Sequence, residues 1–322
     1  MREFKGGVAV VTGAGSGIGR ALAVRLAAAG SHLALCDISE QTLEETAALC
    51  QEADPTLSIC RQVCDVANEA EVLAFAEWVR AAQEAEHVDL LINNAGISGG
   101  GSFIESPRDE WERTFSICWD GVYLMTRAFL PLLMNSRQGH LVNMASANAL
   151  RAVLGGHVPH TAYSAAKFAV RGFSEALIHD FRFNAPHLSV SVVMPGHTGT
   201  GIMAHSAEVL GHNAPAAWTD AEVQTTRKRW TIAGRSDHEA MSDDEIRAAG
   251  AREIADMQRL GMAPAEAAQI ILDGVRAGRW RILVGSDTES LDALVRESPD
   301  RAYDPDFVDR WRAAHEALRS SR

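Results

Sequence analysis

Val8-Ala9-Val10-Val11-Thr12-Gly13-Ala14-Gly15-Ser16-Gly17-Ile18-Gly19 decides how the rest of the chain is read. Four apolar residues in a row suit a parallel strand buried on both faces. A glycine-rich turn follows, then a helical pattern from Arg20 to Ala29 that stops at Gly30. Strand, turn and helix in that order give the motif its context, because glycines let the backbone approach a pyrophosphate. The helix N-terminus supplies free N–H donors and the positive end of a dipole. The alternative is a glycine-rich turn that holds no ligand.

Working outward, the second strand, His32 to Cys36, ends at Asp37, eighteen residues past Gly19. A carboxylate there accepts hydrogen bonds from the adenosine ribose and repels a 2′-phosphate. Ile38 and Ser39 follow, neither of them basic, and the turn carries Ser16. The reading is NAD rather than NADP; the competing account is an Asp that caps the helix beginning near Ser39. Leu57 to Cys64 reads as a third strand ending at Asp65-Val66. Asp65 either bonds an adenine amino group or caps the helix from Glu69 to Glu84, and both readings stand. Val88 to Ile92 forms the fourth strand and runs into Asn93-Asn94-Ala95-Gly96, a turn suited to lie flat against a cofactor. A long helical stretch over 107–136 is expected to bend near Cys118-Trp119-Asp120-Gly121. His140 to Met144 is the fifth strand, closed by Ala145-Ser146, and Ser189 to Met194 is the sixth, closed by Pro195-Gly196. Strands alternating with helices predict an α/β fold, a doubly wound parallel sheet of about seven strands.

Tyr163 and Lys167 lie four residues apart in a helical run from Thr161 to Phe183, so they share a face. A cation ~4 Å from a phenol, at an effective dielectric of ~20, favours the phenolate by roughly 4 kcal/mol, or about 3 pKa units. That brings a tyrosine towards the range where acid-base catalysis works. The bland alternative is a packed aromatic beside a solvated lysine, and the pair alone is too common to decide.

Composition narrows the function classes. Hydrophobic residues are 47% and charged residues 22%, ordinary for a globular protein. No apolar run approaches the ~20 residues that span a bilayer, and no signal-like stretch follows Met1. Five cysteines, Cys36, Cys50, Cys60, Cys64 and Cys118, lack metal-type pairing, so free thiols in a reducing compartment and no metal site are expected. A net charge of −12 argues against nucleic acid as a partner. A cytoplasmic protein without membrane attachment is the expectation.

Thr12-Gly13-x-x-x-Gly17-Ile18-Gly19, Asn93-Asn94-Ala95-Gly96, Ser146, Tyr163-x-x-x-Lys167 and Pro195-Gly196 together resemble the short-chain dehydrogenase/reductase family. The resemblance covers about 6–200 and 263–285 and implies an NAD(P)-dependent oxidoreductase. Carried over, it makes Tyr163 the proton donor or acceptor, Ser146 the group that holds the substrate oxygen, and Lys167 a ligand of the nicotinamide ribose. It also implies that Gly13, Ser16, Ile18 and Gly19 line the dinucleotide, with Asp37 at the ribose and Asp65 and Val66 at adenine. Asn93, Ala95 and Gly96 would flank the cofactor, and Pro195, Gly196 and Thr200 would meet its nicotinamide half. One position departs: Cys118 stands where the family usually has asparagine, which puts its proton relay in doubt. By resemblance, pairing through helices 108–136 and 162–184 gives a homodimer or homotetramer.

We expect one domain over 1–322, with a mostly helical lid at 201–262 and an extension at 286–322 that matches nothing useful for function. The Ser146–Tyr163 loop is longer than usual for the family, and Trp218, Trp230, Met203, Met241 and Met257 could line an apolar pocket or simply be core. A bulky apolar secondary alcohol or its ketone, aryl-alkyl or steroid-like, is the expected substrate. His157, His160 and His197 could touch a polar substituent, though loop histidines are more often solvated. Two alternatives are a dinucleotide-binding sensor without turnover and a ketone reductase using NADPH.

Overall fold

The computed structural model describes residues 3–82, 86–154, 159–232 and 234–320. Its first half runs β1 Val8–Thr12, α1 Gly17–Ala28, β2 His32–Asp37, α2 Glu40–Ala53, β3 Ile59–Val63, α3 Glu69–Ala82, β4 Leu90–Asn93, α4 Arg108–Phe115, α5 Gly121–Asn135 and β5 His140–Met144. The second half adds α6 Thr161–Asn184, β6 Ser189–Pro195, α7 Ile202–Val209, α8 Asp220–Ile232, α9 Asp243–Leu260, α10 Pro264–Arg276, β7 Arg281–Val284, α11 Ser286–Glu297 and α12 Phe307–Ser320. The strands form one seven-stranded parallel sheet in the order β3-β2-β1-β4-β5-β6-β7. Every residue of β1, β4 and β5 is buried, as continuous apolar runs require in a sheet covered on both faces.

One face is closed by apolar residues of α1, α2 and α10, among them Leu22, Leu26, Leu43 and Ile271. The other is closed by α3, α5 and α6, through Phe75, Phe129, Leu133 and Phe181. Because the chain leaves β1 in one direction and β4 in the other, a crevice opens between their C-terminal ends. The expected bend is a π-helical turn, Ser116–Asp120, between α4 and α5, in which Gly121 N–H reaches back five residues to the Ser116 carbonyl. The whole stretch Arg108–Asn135 is long and apolar enough to cross a membrane by length and composition, but half of its apolar window is buried in this fold. All five cysteines are free, and burial pushes the Cys50 thiol up to about 12.

The stretch after β6 is helical, as expected, and its own apolar side chains explain how it holds together. Val223, Trp230, Ile246 and Ala249 bury one another, with Trp218 and Met241 packed around them. Trp218, Trp230 and Met241 are therefore core of the excursion rather than lining of a pocket. Two helices, α8 and α9, need an apolar centre of their own, and these are the large residues available to make it. The excursion begins and ends at one point: Thr198 forms a bridge with Met262, Gly199 N–H bonds the Met262 carbonyl at 2.8 Å, and Met262 N–H bonds His197 at 2.9 Å.

Candidate active site

The glycine turn is shaped by close approaches that side chains would block. Gly13 sits at φ +62°, and a Cβ there would lie 2.8 Å from the Ala95 Cα. A Cβ on Gly19 would stand 2.6 Å from the Asn94 amide nitrogen. Thr12 and Asn94 lock this contact between β1 and β4. The Thr12 hydroxyl accepts the N–H groups of Asn94 and Ala95, both at 2.9 Å, while Asn94 Nδ2 donates to the carbonyls of Thr12 and Gly13. Sequence reasoning overlooked Arg20, whose guanidinium bonds the Gly15 carbonyl at 2.6 Å and Thr42 on α2 at 3.2 Å. A threonine hydroxyl and an arginine fork at these positions, both able to bond backbone, were the available signals. The Ser16 hydroxyl makes no capping bond, and the first turn of α1 carries no acid, so its N–H donors face the crevice without a competing negative charge. These residues fit a pyrophosphate.

Asp37, the last residue of β2, reaches the glycine turn. Its Oδ2 accepts the Gly15 N–H at 2.8 Å and its Oδ1 accepts the Ser39 N–H at 3.1 Å. Capping of α2 falls to Ser39, which accepts from Thr42 N–H, so the capping account of Asp37 does not hold. The two accounts of Asp65 fare differently again. Asn68 caps α3 through the N–H groups of Ala70 and Glu71. Asp65 instead accepts Ala67 N–H and pairs with Arg113 at 2.7 Å, leaving its carboxylate committed within the fold. Val66 is buried against Gly121 at the start of α5.

Asn93 faces away from the crevice. Its Nδ2 donates to Asn143 Oδ1 at 2.9 Å and to the Thr126 hydroxyl at 3.0 Å, and the residue is 2% exposed. A buried amide needs polar partners, and the neighbouring strand and α5 supply them for its nitrogen. Asn143 continues the chain to Ser174 on α6 at 3.0 Å. Of the asparagine pair, Asn94 shapes the crevice and Asn93 ties the sheet to its covering helices.

Ser146 lies two residues past the end of β5, and Tyr163 and Lys167 occupy the first two turns of α6. Lys167 is buried, and its ammonium donates to the Met144 carbonyl at 2.9 Å, two residues before Ser146. The same nitrogen lies 5.5 Å from the centroid of the Tyr163 ring. Gly96 packs beside it: a Cβ at Gly96 would stand 3.4 Å from the lysine nitrogen and 3.6 Å from the Cys118 sulfur. Cys118 is fully buried in the π-helical turn and donates its S–H to the Ile97 carbonyl at 3.2 Å. It thus fastens this turn to the loop after β4. Ser146 has a partner absent from the sequence reading: its hydroxyl accepts Asn148 N–H at 3.1 Å and donates to Asn148 Oδ1 at 3.4 Å.

The Pro195-Gly196-His197 turn is held by Asp287, whose Oδ2 accepts His197 N–H at 2.8 Å. Thr200 packs its methyl towards Gly17 in the glycine turn, and His205 on α7 places Nδ1 3.4 Å from the Ser16 hydroxyl. The excursion therefore overhangs the glycine turn. On the opposite side, α8 pairs Lys228 with Glu105. Burial, with Arg229 near by, holds the His160 imidazole below its ordinary pKa. His157 lies outside the described residues.

Comparison with known proteins accords with this geometry. The family model for short chain dehydrogenases matches residues 7–210. A Mycobacterium tuberculosis protein named as an oxidoreductase, SadH, is 34% identical over 296 residues, covering 92% of each chain. Mouse epidermal retinol dehydrogenase 2 is 34% identical over 202 residues, 62% of this chain and 63% of that one. Among solved structures, a Burkholderia phymatum short chain dehydrogenase/reductase in complex with NAD superposes with a TM-score of 0.74 at 29% identity. That match covers 95% of this chain and 98% of the other. With this sheet order, this glycine turn and this match over most of its length, the chain belongs to the short-chain dehydrogenase family.

Proposed function

We propose that the protein is an oxidoreductase transferring a hydride between NAD and a bulky apolar secondary alcohol or its ketone, with Tyr163 as general acid-base. The observation that carries the chemistry is the placement of Ser146 just past β5 and of Tyr163 and Lys167 on α6, with Lys167 bonded to Met144, the last residue of that strand. Bound nicotinamide cofactor supplies the hydride acceptor or donor. The chain's own residues do the rest. Tyr163 takes the proton from the alcohol oxygen in oxidation and returns it in reduction. Ser146 holds that oxygen through its hydroxyl. Lys167 and Gly96 line the floor beside them, and Gly13, Ser16 and Gly19 receive the pyrophosphate. Pro195, Gly196 and Thr200 complete the nicotinamide side.

Support for NAD over NADP comes from Asp37, whose carboxylate sits on the Gly15 N–H where a 2′-phosphate would meet its charge. Support for a bulky apolar substrate is narrower than the sequence alone suggested, since Trp218, Trp230 and Met241 face each other. It rests on the long Ser146–Tyr163 loop and on similarity to a relative whose name specifies retinol, a bulky apolar alcohol. Absorbance at the reduced-nicotinamide band, with NAD and then NADP, against primary and secondary aryl, terpenoid and steroidal alcohols tests the proposal. Turnover with NAD on bulky alcohols is expected. Turnover confined to NADP overturns the Asp37 argument. NAD binding with no turnover on any alcohol or ketone leaves the sensor reading in its place.

A further inference from the structure

We infer that the C-terminal extension, 286–320, positions both substrate-side loops, and that Tyr303 and Arg151 set the orientation of the Ser146 hydroxyl. The inference rests on Ser146 holding the substrate oxygen.

A continuous run of hydrogen bonds joins the extension to that serine. Tyr303 Oη accepts the Ala152 N–H at 3.1 Å. The Ala152 carbonyl accepts the Ser164 hydroxyl at 2.6 Å and Asn148 Nδ2 at 3.0 Å. Asn148 in turn bonds the Ser146 hydroxyl through its N–H at 3.1 Å and its Oδ1 at 3.4 Å. Tyr303 thus fixes a peptide that fixes the amide that turns the serine.

Arg151 holds the same loop from a second direction. It is 6% exposed, its Nε donates to the Ala302 carbonyl at 2.5 Å, and its guanidinium lies 4.3 Å from the Phe307 ring centroid and 5.1 Å from that of Tyr303. No salt bridge to a carboxylate reaches Arg151 among the described residues. A guanidinium clasped by two rings and a main-chain carbonyl joins loop to extension by shape and stacking. At the other end of the extension, Asp287 secures the Pro195-Gly196-His197 turn, and Trp311 Nε1 donates to the Asp287 carbonyl at 3.0 Å. One appended segment therefore grips the loop after β5 and the turn after β6.

Removing the extension would uncover Ala149, Leu150, Val192 and Met194, which share a core with its Leu291 and Phe307, so truncation tests folding rather than positioning. Tyr303 is 62% exposed, and Tyr303→Phe removes only the acceptor. With the full-length parent and variant, hydrogen exchange of the peptide containing Ala152 is measured together with kcat, KM and the Kd for NAD. Exchange is expected to accelerate and kcat to fall about five- to tenfold, the scale of one neutral hydrogen bond. The Kd for NAD and the melting temperature should hold within twofold and a degree or so. Arg151→Met should lower kcat in the same way, and Arg151→Lys, which keeps a donor for Ala302, should recover part of it. The functional reading fails on the parent alone, if it turns over no alcohol or ketone. The positioning role fails on the variant, if exchange at Ala152 or kcat stays at the parent value.

Discussion

The crevice between β1 and β4 and the helical excursion after β6 lie against each other, yet their sequences are constrained in opposite ways. Around the glycine turn, main-chain groups must pass within a few ångströms of one another, and single residues answer several demands. Thr12 takes two N–H groups from β4, Arg20 grips Gly15 and α2, and Asp37 holds Gly15 and Ser39. In the excursion the demand is only that apolar faces meet. Val223, Trp230, Ile246 and Ala249 do so, while Arg247 pairs with Asp220 and Asp244 at the surface. Exposed pairs of that kind contribute little. Geometry specifies the first region and burial the second, so substitutions should act on chemistry in one and on local stability in the other.

Three changes break or sharpen that contrast. The largest effect belongs to the crevice side. On the proposed mechanism Tyr163→Phe removes the oxygen that carries the proton while leaving the ring, so turnover should drop by roughly 10²- to 10⁴-fold with NAD affinity unchanged. Stopped-flow turnover alongside a binding isotherm reads both; loss of affinity in parallel with activity would mean that Tyr163 holds cofactor rather than moves a proton.

Next is Trp230→Ala in the excursion, which empties the centre of a small core. Local stability should fall by about 3–5 kcal/mol, as for other buried aromatics. Hydrogen exchange over 215–260 should rise while amides of β1, β4 and β5 keep their protection. Uniform loss of protection across the sheet would show that the two regions are one cooperative unit and would dissolve the contrast.

The smallest effect lies where the regions touch. His160, at the start of α6, has its pKa lowered in the folded state by burial first and by Arg229 second. As pH falls, the unfolded chain takes up this proton first, so stability declines from about pH 6.5 downward through the folded-state value. The parent's melting temperature should therefore drop more steeply on acidification than that of His160→Gln. Parallel curves for the two proteins would remove His160 from the account.

The same contrast explains what could be read in the sequence. Strand ends, the glycine turn and the Tyr163–Lys167 spacing were legible because the backbone tolerates few residues there and because helical periodicity places side chains directly. Asn93 was assigned to the cofactor by resemblance; that Asn143 and Thr126 claim its amide nitrogen depends on the pairing of β4 with β5 and the packing of α5. Asp65 was weighed between adenine and a helix cap, and its ion pair with Arg113, forty-eight residues away, could not be read from spacing. The tryptophans of the excursion were legible as apolar but not as to partner, since amphipathic spacing names a face and not its neighbour. Tyr303 and Arg151 were invisible for the same reason: each acts through a contact that exists only after the C-terminal segment has folded back, and Asn148 through the local turn after β5.

The bridge between Thr198 and Met262 has a consequence for how this family could diversify. An insertion whose two ends meet side by side leaves the sheet's register unchanged whatever its length, because closing a longer loop adds only about 0.6 kcal/mol per doubling. The excursion is in effect a cassette. Its helices beyond Thr200 can vary in length without moving the turn after β6 or the start of α10.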